Sequence, residues 1–187
     1  PLIQRVKLDR WNFGNHTVSD SVATPNVVDF TNLGDNPKLI QVGTTTVFEQ
    51  LSPELVNKGV VFTDFYSALE EIREVIEQYF GSALDFDEDK LTAYHTAYFN
   101  SAAVLYIPDN VEVDVPIQGL FYQNSDEAVE FNKHVLLVAG KHSKVSYLER
   151  FESLGNGSEK STANIAVEVV ALEGSQVKFS AIDRLGS

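Results

Sequence analysis

Four histidines, His16, His95, His134 and His142, are the soft-ligand side chains of a 187-residue sequence that contains neither cysteine nor methionine. Disulfides, thiolate metal sites, cysteine nucleophiles and cysteine-ligated clusters held within this sequence are therefore excluded. The histidines form no HExxH or HxH pair, so their spacing argues against a metal centre. His142 falls in a polar turn and His134 just before a strand, which predicts solvated surface imidazoles. His95 falls on a short helix among tyrosines and is expected to be a packed or capping residue. Asp85, Asp87, Glu88 and Asp89 could face a hard cation, but the run lacks the EF-hand spacing with its glycine and terminal glutamate. Its simpler role is to begin a helix, where carboxylates meet the positive end of the peptide dipoles. Gly155, Asn156, Gly157 and Ser158 lack the lysine and following helix of a phosphate loop, and they read as a flexible connection. No residue is assigned a catalytic, cofactor-binding or metal-binding role.

Residues 1–57 show little helical periodicity and carry turn signals at 12–15, 24–26 and 34–37, which predicts an extended, partly irregular arm. The apolar pieces 38–42 and 45–48 flank Gly43 and can form a hairpin. Over 63–80, Phe65, Leu69, Ile72, Ile76 and Phe80 fall on one face at helical spacing, with Glu70, Arg73, Glu74 and Glu77 opposite. One helix is predicted there, capped by Thr63 or Asp64 and ended by Gly81. A shorter helix follows the acidic run and includes Leu91, Tyr94 and Tyr98, with a hinge at 100–102.

Beyond Ala103 the apolar period becomes two. Val111, Val113, Val115 and Ile117 alternate with Glu112, Asp114, Pro116 and Gln118, which predicts a half-buried strand. A phrase then recurs: a strand (104–107, 135–139, 167–172), a polar turn (108–110, 140–143, 173–175) and an alternating strand. Aligning the alternating strands makes Val111, Val145 and Val177 equivalent, and likewise Val113, Tyr147 and Phe179. Strand-and-turn repeats of this length fit a solenoid whose coils stack apolar residues on one another. A β-sandwich or jelly roll has similar spacing, and the repeats alone leave both open.

With 27 acidic against 14 basic residues the net charge is -13. Nucleic-acid backbones and anionic membranes both attract clustered Lys and Arg, so neither is an expected partner. The apolar runs are far shorter than the ~20 residues of a bilayer span, and no leader pattern opens the sequence. A soluble, cytoplasmic protein is expected. The lack of an initiator methionine and the end just after a strand-like run predict a segment truncated on both sides.

Residues 89–121, DKLTAYHTAYFNSAAVLYIPDNVEVDVPIQGLF, resemble a signature of the SufB/SufD family of iron-sulfur cluster assembly proteins. In that family a helix of the type DKF-x-ALN-x-A leads into F-x-Y-V-P-K-x-V-x-V-E-x-P-L-Q. Leu105-Tyr106-Ile107-Pro108 stands for the F-Y-V-P element, Val111-Glu112-Val113 for the next strand, and Pro116-Ile117-Gln118 for P-L-Q. Residues 59–64 (GVVFTD), 140–149 (GKHSKVSYLE) and Arg10-Trp11-Asn12-Phe13 extend the likeness, and the absence of cysteine leans towards SufD. Tyr94-His95-Thr96 and Ser101-Ala102-Ala103 depart from the family's usual Leu-Asn-Ser or Ala and Gly-Gly.

The resemblance implies a mainly β fold with an α+β N-terminal part: an arm and helical region over 1–100, then the first coils of a right-handed parallel β-helix over 101–187. It also implies a non-catalytic scaffold subunit of a SufB-SufC-SufD complex. SufB-like and SufC-like subunits would be its partners in the full-length protein, and a homo-oligomer is the other partner expectation. The complex would assemble the iron-sulfur cluster transiently, with none bound by this segment. The family's cluster-forming residues lie late in the β-helix, so none is carried onto positions here. The alternative is a β-helical carbohydrate-active enzyme or a purely structural solenoid. Such an enzyme stacks carboxylates on one face, whereas the outward positions Glu112, Ser146 and Lys178 do not match one another.

Overall fold

The computed structural model describes residues 34–124, 130–155 and 162–185. Arg10-Trp11-Asn12-Phe13, His16 and Asn156-Gly157-Ser158 lie outside them. Strands dominate, with one short helix between the second and third and three between the third and fourth. β1 (Lys38–Val42) and β2 (Thr45–Gln50) form the expected antiparallel hairpin about Gly43. α1 (Pro53–Asn57) begins where the Ser52 side chain accepts from the Leu55 amide at 3.3 Å, with proline in its first turn. Residues 34–57 are thus a hairpin and a helix, not an irregular arm.

β3 (Val61–Asp64) leads directly into α2 (Phe65–Glu71) and α3 (Arg73–Tyr79). Asp64 caps α2 by accepting from the Tyr66 and Ser67 amides at 2.9 and 3.1 Å. The single helix expected over 63–80 is instead two, broken at Ile72, whose φ of -137° and ψ of 43° are not helical. The break lets Val75 and Tyr79 join Phe65, Leu69, Ile72, Ile76 and Phe80 in one apolar layer against Val104, Leu136 and Val138. Gly81 follows with a φ of 77°, the left-handed stop that the sequence predicted. α4 (Lys90–Tyr98) starts with a capping box: Thr92 N donates to Asp89 Oδ1 at 2.9 Å and Asp89 N to Thr92 Oγ1 at 3.0 Å.

From β4 (Ser101–Ile107) onwards the chain alternates between two sheets. β4, β6 (Glu130–Ala139) and β8 (Thr162–Ala171) lie in one; β5 (Ile117–Asn124), β7 (Lys144–Leu154) and β9 (Gln176–Arg184) lie in the other. Within each trio the pairing is parallel, whereas β3 on β4 and β2 on β1 are antiparallel, so both sheets are mixed. The strand orders are β3-β4-β6-β8 and β2-β1-β5-β7-β9. Ser101 and Ala102, expected in a hinge, open β4 and are buried. The parallel pairing is not that of an antiparallel sandwich.

The predicted register holds between β7 and β9, where Val145 faces Val177 and Tyr147 faces Phe179. One turn earlier it shifts by two positions. Glu112 bridges to Lys144 and the Val113 amide donates to Lys144 O at 2.8 Å, so Val113, not Val111, lies level with Val145. Nor is 111–117 a continuous strand: Val115 is exposed, and Pro116, with no N–H to donate, separates this bridge from β5. The three polar turns fall as predicted. Asn110, His142 and Gly174 have φ of 61°, 56° and 70°, so that one left-handed residue recurs at the same corner at equal intervals along the chain. The Asn110 amide donates to Lys141 O at 2.7 Å and the His142 amide to Glu173 O at 2.9 Å, so each corner hangs on the next. A side chain at 174 would strike the His142 imidazole.

The main core lies between the sheets. Leu105, Ile107, Val135 and Leu137 on one side meet Ile117, Phe121, Tyr147 and Phe151 on the other. Val145 points into it, 1% exposed, while Lys144 points out. Val145→Asp should therefore cost several kcal/mol, on the scale of ~3, because an unpaired carboxylate replaces a packed side chain. Lys144→Asp should change stability by less than about 1 kcal/mol. Urea unfolding of the two variants checks this, and equal losses would put the register one residue out.

Candidate functional site

Among the described residues, two buried polar groups and a cleft between the hairpin and α2 are set apart from the apolar packing. The first group lies between the sheets. Lys133 of β6 is in phase with Val135 and Leu137, and therefore points inward, fully buried. Its Nζ donates to Gln41 Oε1 and to Ser101 Oγ, the latter at 3.1 Å, and lies 4.1 Å from the centre of the Phe121 ring. Gln41 in turn donates to Ala102 O at 3.1 Å and to Thr46 Oγ1 at 3.0 Å. Burial holds the Lys133 ammonium well below the ordinary lysine value, while Glu149 and Asp64 pull it back up.

Glu149 enters the same space from β7, in phase with Val145 and Tyr147. Burial pushes its carboxyl up to about 7, helped by Asp183, while Tyr147 and Lys133 act the other way. Glu149 Oε2 and the Tyr147 hydroxyl are buried close enough to influence each other, but neither makes a well-formed hydrogen bond. The Tyr147 ring passes over Gly119, where any Cβ would collide with its hydroxyl. The inward lysine and carboxyl were missed in the sequence, although their signal was there: both residues share the parity of the inward apolar positions around them.

Gln41 and Ser101 also floor a cleft of about 400 Å³, walled by Thr44, Asp64, Tyr66 and Asn100. Asp64 and Asn100 are already engaged there, the first in capping α2 and the second with Glu130 O and the Asn132 amide. The cleft is mixed in character, since Phe65, Phe99 and Ala102 line it beside the polar side chains.

The second group lies on the opposite face of the four-stranded sheet, under the helices. His134, expected on the surface, is 2% exposed, because α4 and the α3–α4 connection cover this face of β6. Its Nδ1 lies 3.1 Å from Nε2 of His95, and its Nε2 lies 2.9 Å from Oε2 of Glu168 on β8. Glu168 also accepts from the amides of Gly81, Ala83 and Leu84 at 2.8, 2.9 and 2.9 Å. Burial opposes its ionisation, but the contact with His134 and the amides of Gly81 and Ala83 hold its carboxyl below the usual range. His95 is packed, as expected. Burial, and then His134, lower its pKa to about 4, whereas Glu168 pulls it upward.

With Glu168 ionised and both imidazoles neutral, Glu168 only accepts, so His134 Nε2 carries hydrogen and its Nδ1 accepts from His95 Nε2–H. The bare lone pair left over is His95 Nδ1, which is buried without a partner. An imidazolium at His134 would instead donate from Nδ1 to His95 Nε2 and turn the His95 hydrogen to Nδ1, which is buried without a partner.

His142 is exposed on its turn, as the sequence suggested, and Asp85, Asp87 and Glu88 are exposed before α4. Among the described residues no three His, Asp or Glu side chains converge on a metal-sized space. No helix among them is long and apolar enough to cross a membrane.

Comparison with known proteins places these features in a family. Residues 36–119 match the SufBD protein N-terminal region, and residues 121–187 match the SufBD core domain of the SUF iron-sulfur cluster assembly system. The chain belongs to the SufB/SufD family. Within it the likeness is to SufD: the iron-sulfur cluster assembly protein SufD of Bacillus subtilis is 36% identical over 202 residues, covering all of this chain and 45% of that protein. SufBD family proteins of Staphylococcus saprophyticus and Staphylococcus epidermidis are 28% and 29% identical over 76% of this chain and 30% of theirs. The chain thus spans less than half the length of these relatives.

The raised Glu149 pKa sets a sign for stability. A carboxyl that binds its proton more tightly folded than unfolded stabilises fully below about pH 4.5, and that contribution is lost as the pH rises through about 7. Glu149→Gln should therefore gain stability relative to the parent between pH 5 and pH 8. Urea midpoints at the two pH values check this, and a constant offset would show that Glu149 is not perturbed.

Proposed function

We propose that this chain is the early part of a SufD-like scaffold subunit that works with SufB-like and SufC-like subunits in iron-sulfur cluster assembly and is not itself an enzyme. The observation that carries the reading is the consecutive match of the family's N-terminal and core regions along residues 36–187. The alternation of the chain between two sheets, with parallel pairing and a corner repeated at equal intervals, supports reading residues 101–187 as the first coils of a right-handed parallel β-helix. Residues 1–100 then form the N-terminal arm and helical region.

A scaffold of this kind needs a stiff surface and open edges, not an active site. β8 and β9 are the outermost strands of their sheets, and Val169, Phe179 and Ile182 on them are exposed. That edge is suited to stacking further coils of a longer parent or a partner's strand. The cluster is cargo of the whole complex, in the cytoplasm, and this segment keeps no resident cofactor.

The test has two arms. The full-length parent, co-expressed with SufB-like and SufC-like subunits, should recover both on affinity purification; failure to recover either would overturn the assignment of partners. The chain itself, incubated anaerobically with iron and sulfide and then desalted, should retain no stoichiometric cluster by visible absorption and metal analysis, and should hydrolyse no ATP. A cluster that survives desalting and is lost on replacing His95, His134 or His142 would overturn the scaffold reading.

A further inference from the structure

We propose that the His95-His134-Glu168 chain is an acid-sensitive catch, holding residues 81–99 on the four-stranded sheet while its histidines are neutral and freeing them when the pair takes up a proton. The geometry is that of a fastening. Glu168, on the edge strand β8, is the acceptor for three amides of the α3–α4 connection, Gly81, Ala83 and Leu84, and for His134. α4 is tied to the same point from its other side by His95. All three residues are 2% exposed, and a cavity of about 220 Å³ borders them at Phe80, Leu84, Phe99 and His134. Around them are rings: Phe80 packs on His134 at 4.4 Å between centroids, and Phe99 lies 6.0 Å away.

The chain has no place for an added proton. His95 Nδ1, the free lone pair, has no acceptor in reach if it becomes N–H. A second proton on His134 would go to Nδ1, which faces His95 Nε2–H; His95 would then have to turn its hydrogen to the same empty side. The charged groups acting on His95 are His134 from β6 and Glu168 from β8. The α3–α4 connection contributes only backbone amides, and Tyr94 of α4 is bonded elsewhere, to Glu130. Nothing facing the pair compensates a net positive charge apart from Glu168, whose acceptor sites are already used by four donors.

The direction follows from linkage. His95 is held to about 4 in the closed form, against an ordinary value of 6.5. The catch is at full strength above pH 6.5 and weakens as the pH falls towards 4, because the opened form binds protons that the closed form refuses. Opening of 81–99 should become roughly 20-fold more favourable between pH 7 and pH 5. The apolar face of α2 and α3, packed on Val104, Leu136 and Val138, contains no titrating group in the chain and stays in place.

Amide hydrogen exchange, corrected for the intrinsic effect of pH, reads this directly. Protection of 81–99, and of Gly81, Ala83 and Leu84 in particular, should fall by roughly 20-fold from pH 7 to pH 5, while β6 and β7 keep theirs. His95→Phe should keep the segment closed at pH 5. Three results would overturn the proposal: equal protection at both pH values, parallel loss throughout the protein, or an undiminished pH effect in His95→Phe. If that variant does not fold, imidazole nitrogen shifts of the parent protein decide the matter. They should show His95 neutral down to about pH 4; titration near 6.5 would sink the idea.

Discussion

Hydrogen bonding between strands that are not neighbours in the sequence governs everything else in this molecule. Ser101 pairs with Lys133, Glu130 with Thr162 and Ile117 with Tyr147, and in each case a strand of the other sheet lies between the partners along the chain. No strand from β4 onwards finds its next partner in the strand that follows it, so local segments cannot complete their backbone bonding alone. Because the pairing is parallel, like positions stack in rows: Ile117, Tyr147 and Phe179 form one and Phe121 and Phe151 part of another. The core between the sheets is the sum of these rows, and a polar residue placed in one has to be satisfied inside it. Lys133 and Gln41 show the solution, and Glu149 shows its incomplete form.

The four-stranded sheet is covered on its second face as well, and this divides the molecule's polar chemistry in two. Inward, an ammonium and a carboxyl share a space closed by aromatic rings. Outward, beneath α4, an imidazole pair and a carboxylate hold the connection between two helices. The two groups are neighbours across one strand, since Lys133 and His134 are consecutive residues pointing to opposite faces. β6 is thus the strand through which the interior and the helical layer are joined.

Much of this architecture was legible in the sequence. The hairpin about Gly43, the Asp64 cap, the Gly81 stop, the start of α4 after the acidic run, the three corner turns and the β7–β9 register follow from turn chemistry and from a period of two. Less visible was anything set by a partner distant in the chain. The break at Ile72 has no proline or glycine to announce it; it serves the packing of Val75 and Tyr79 on a sheet formed much later. The 111–117 segment alternates like a strand, yet the chain crosses there from one sheet to the other. His134 and Glu168 fall on what looks like the solvent face of their strands, and only helices from another region bury them. The candidate sites were therefore harder to read than the fold.

One corner bears on how such a protein can change in length. Asn110, His142 and Gly174 each turn the chain with a positive φ, evenly spaced along it. An added or deleted residue inside a strand would swap the inward and outward sides of the rest of that strand. Whole units, cut from one left-handed residue to the next, could be removed, duplicated or exchanged while leaving each remaining side chain on its present face. The natural boundaries for recombination thus lie at 110, 142 and 174, and a shuffled chain built on them would keep its phase.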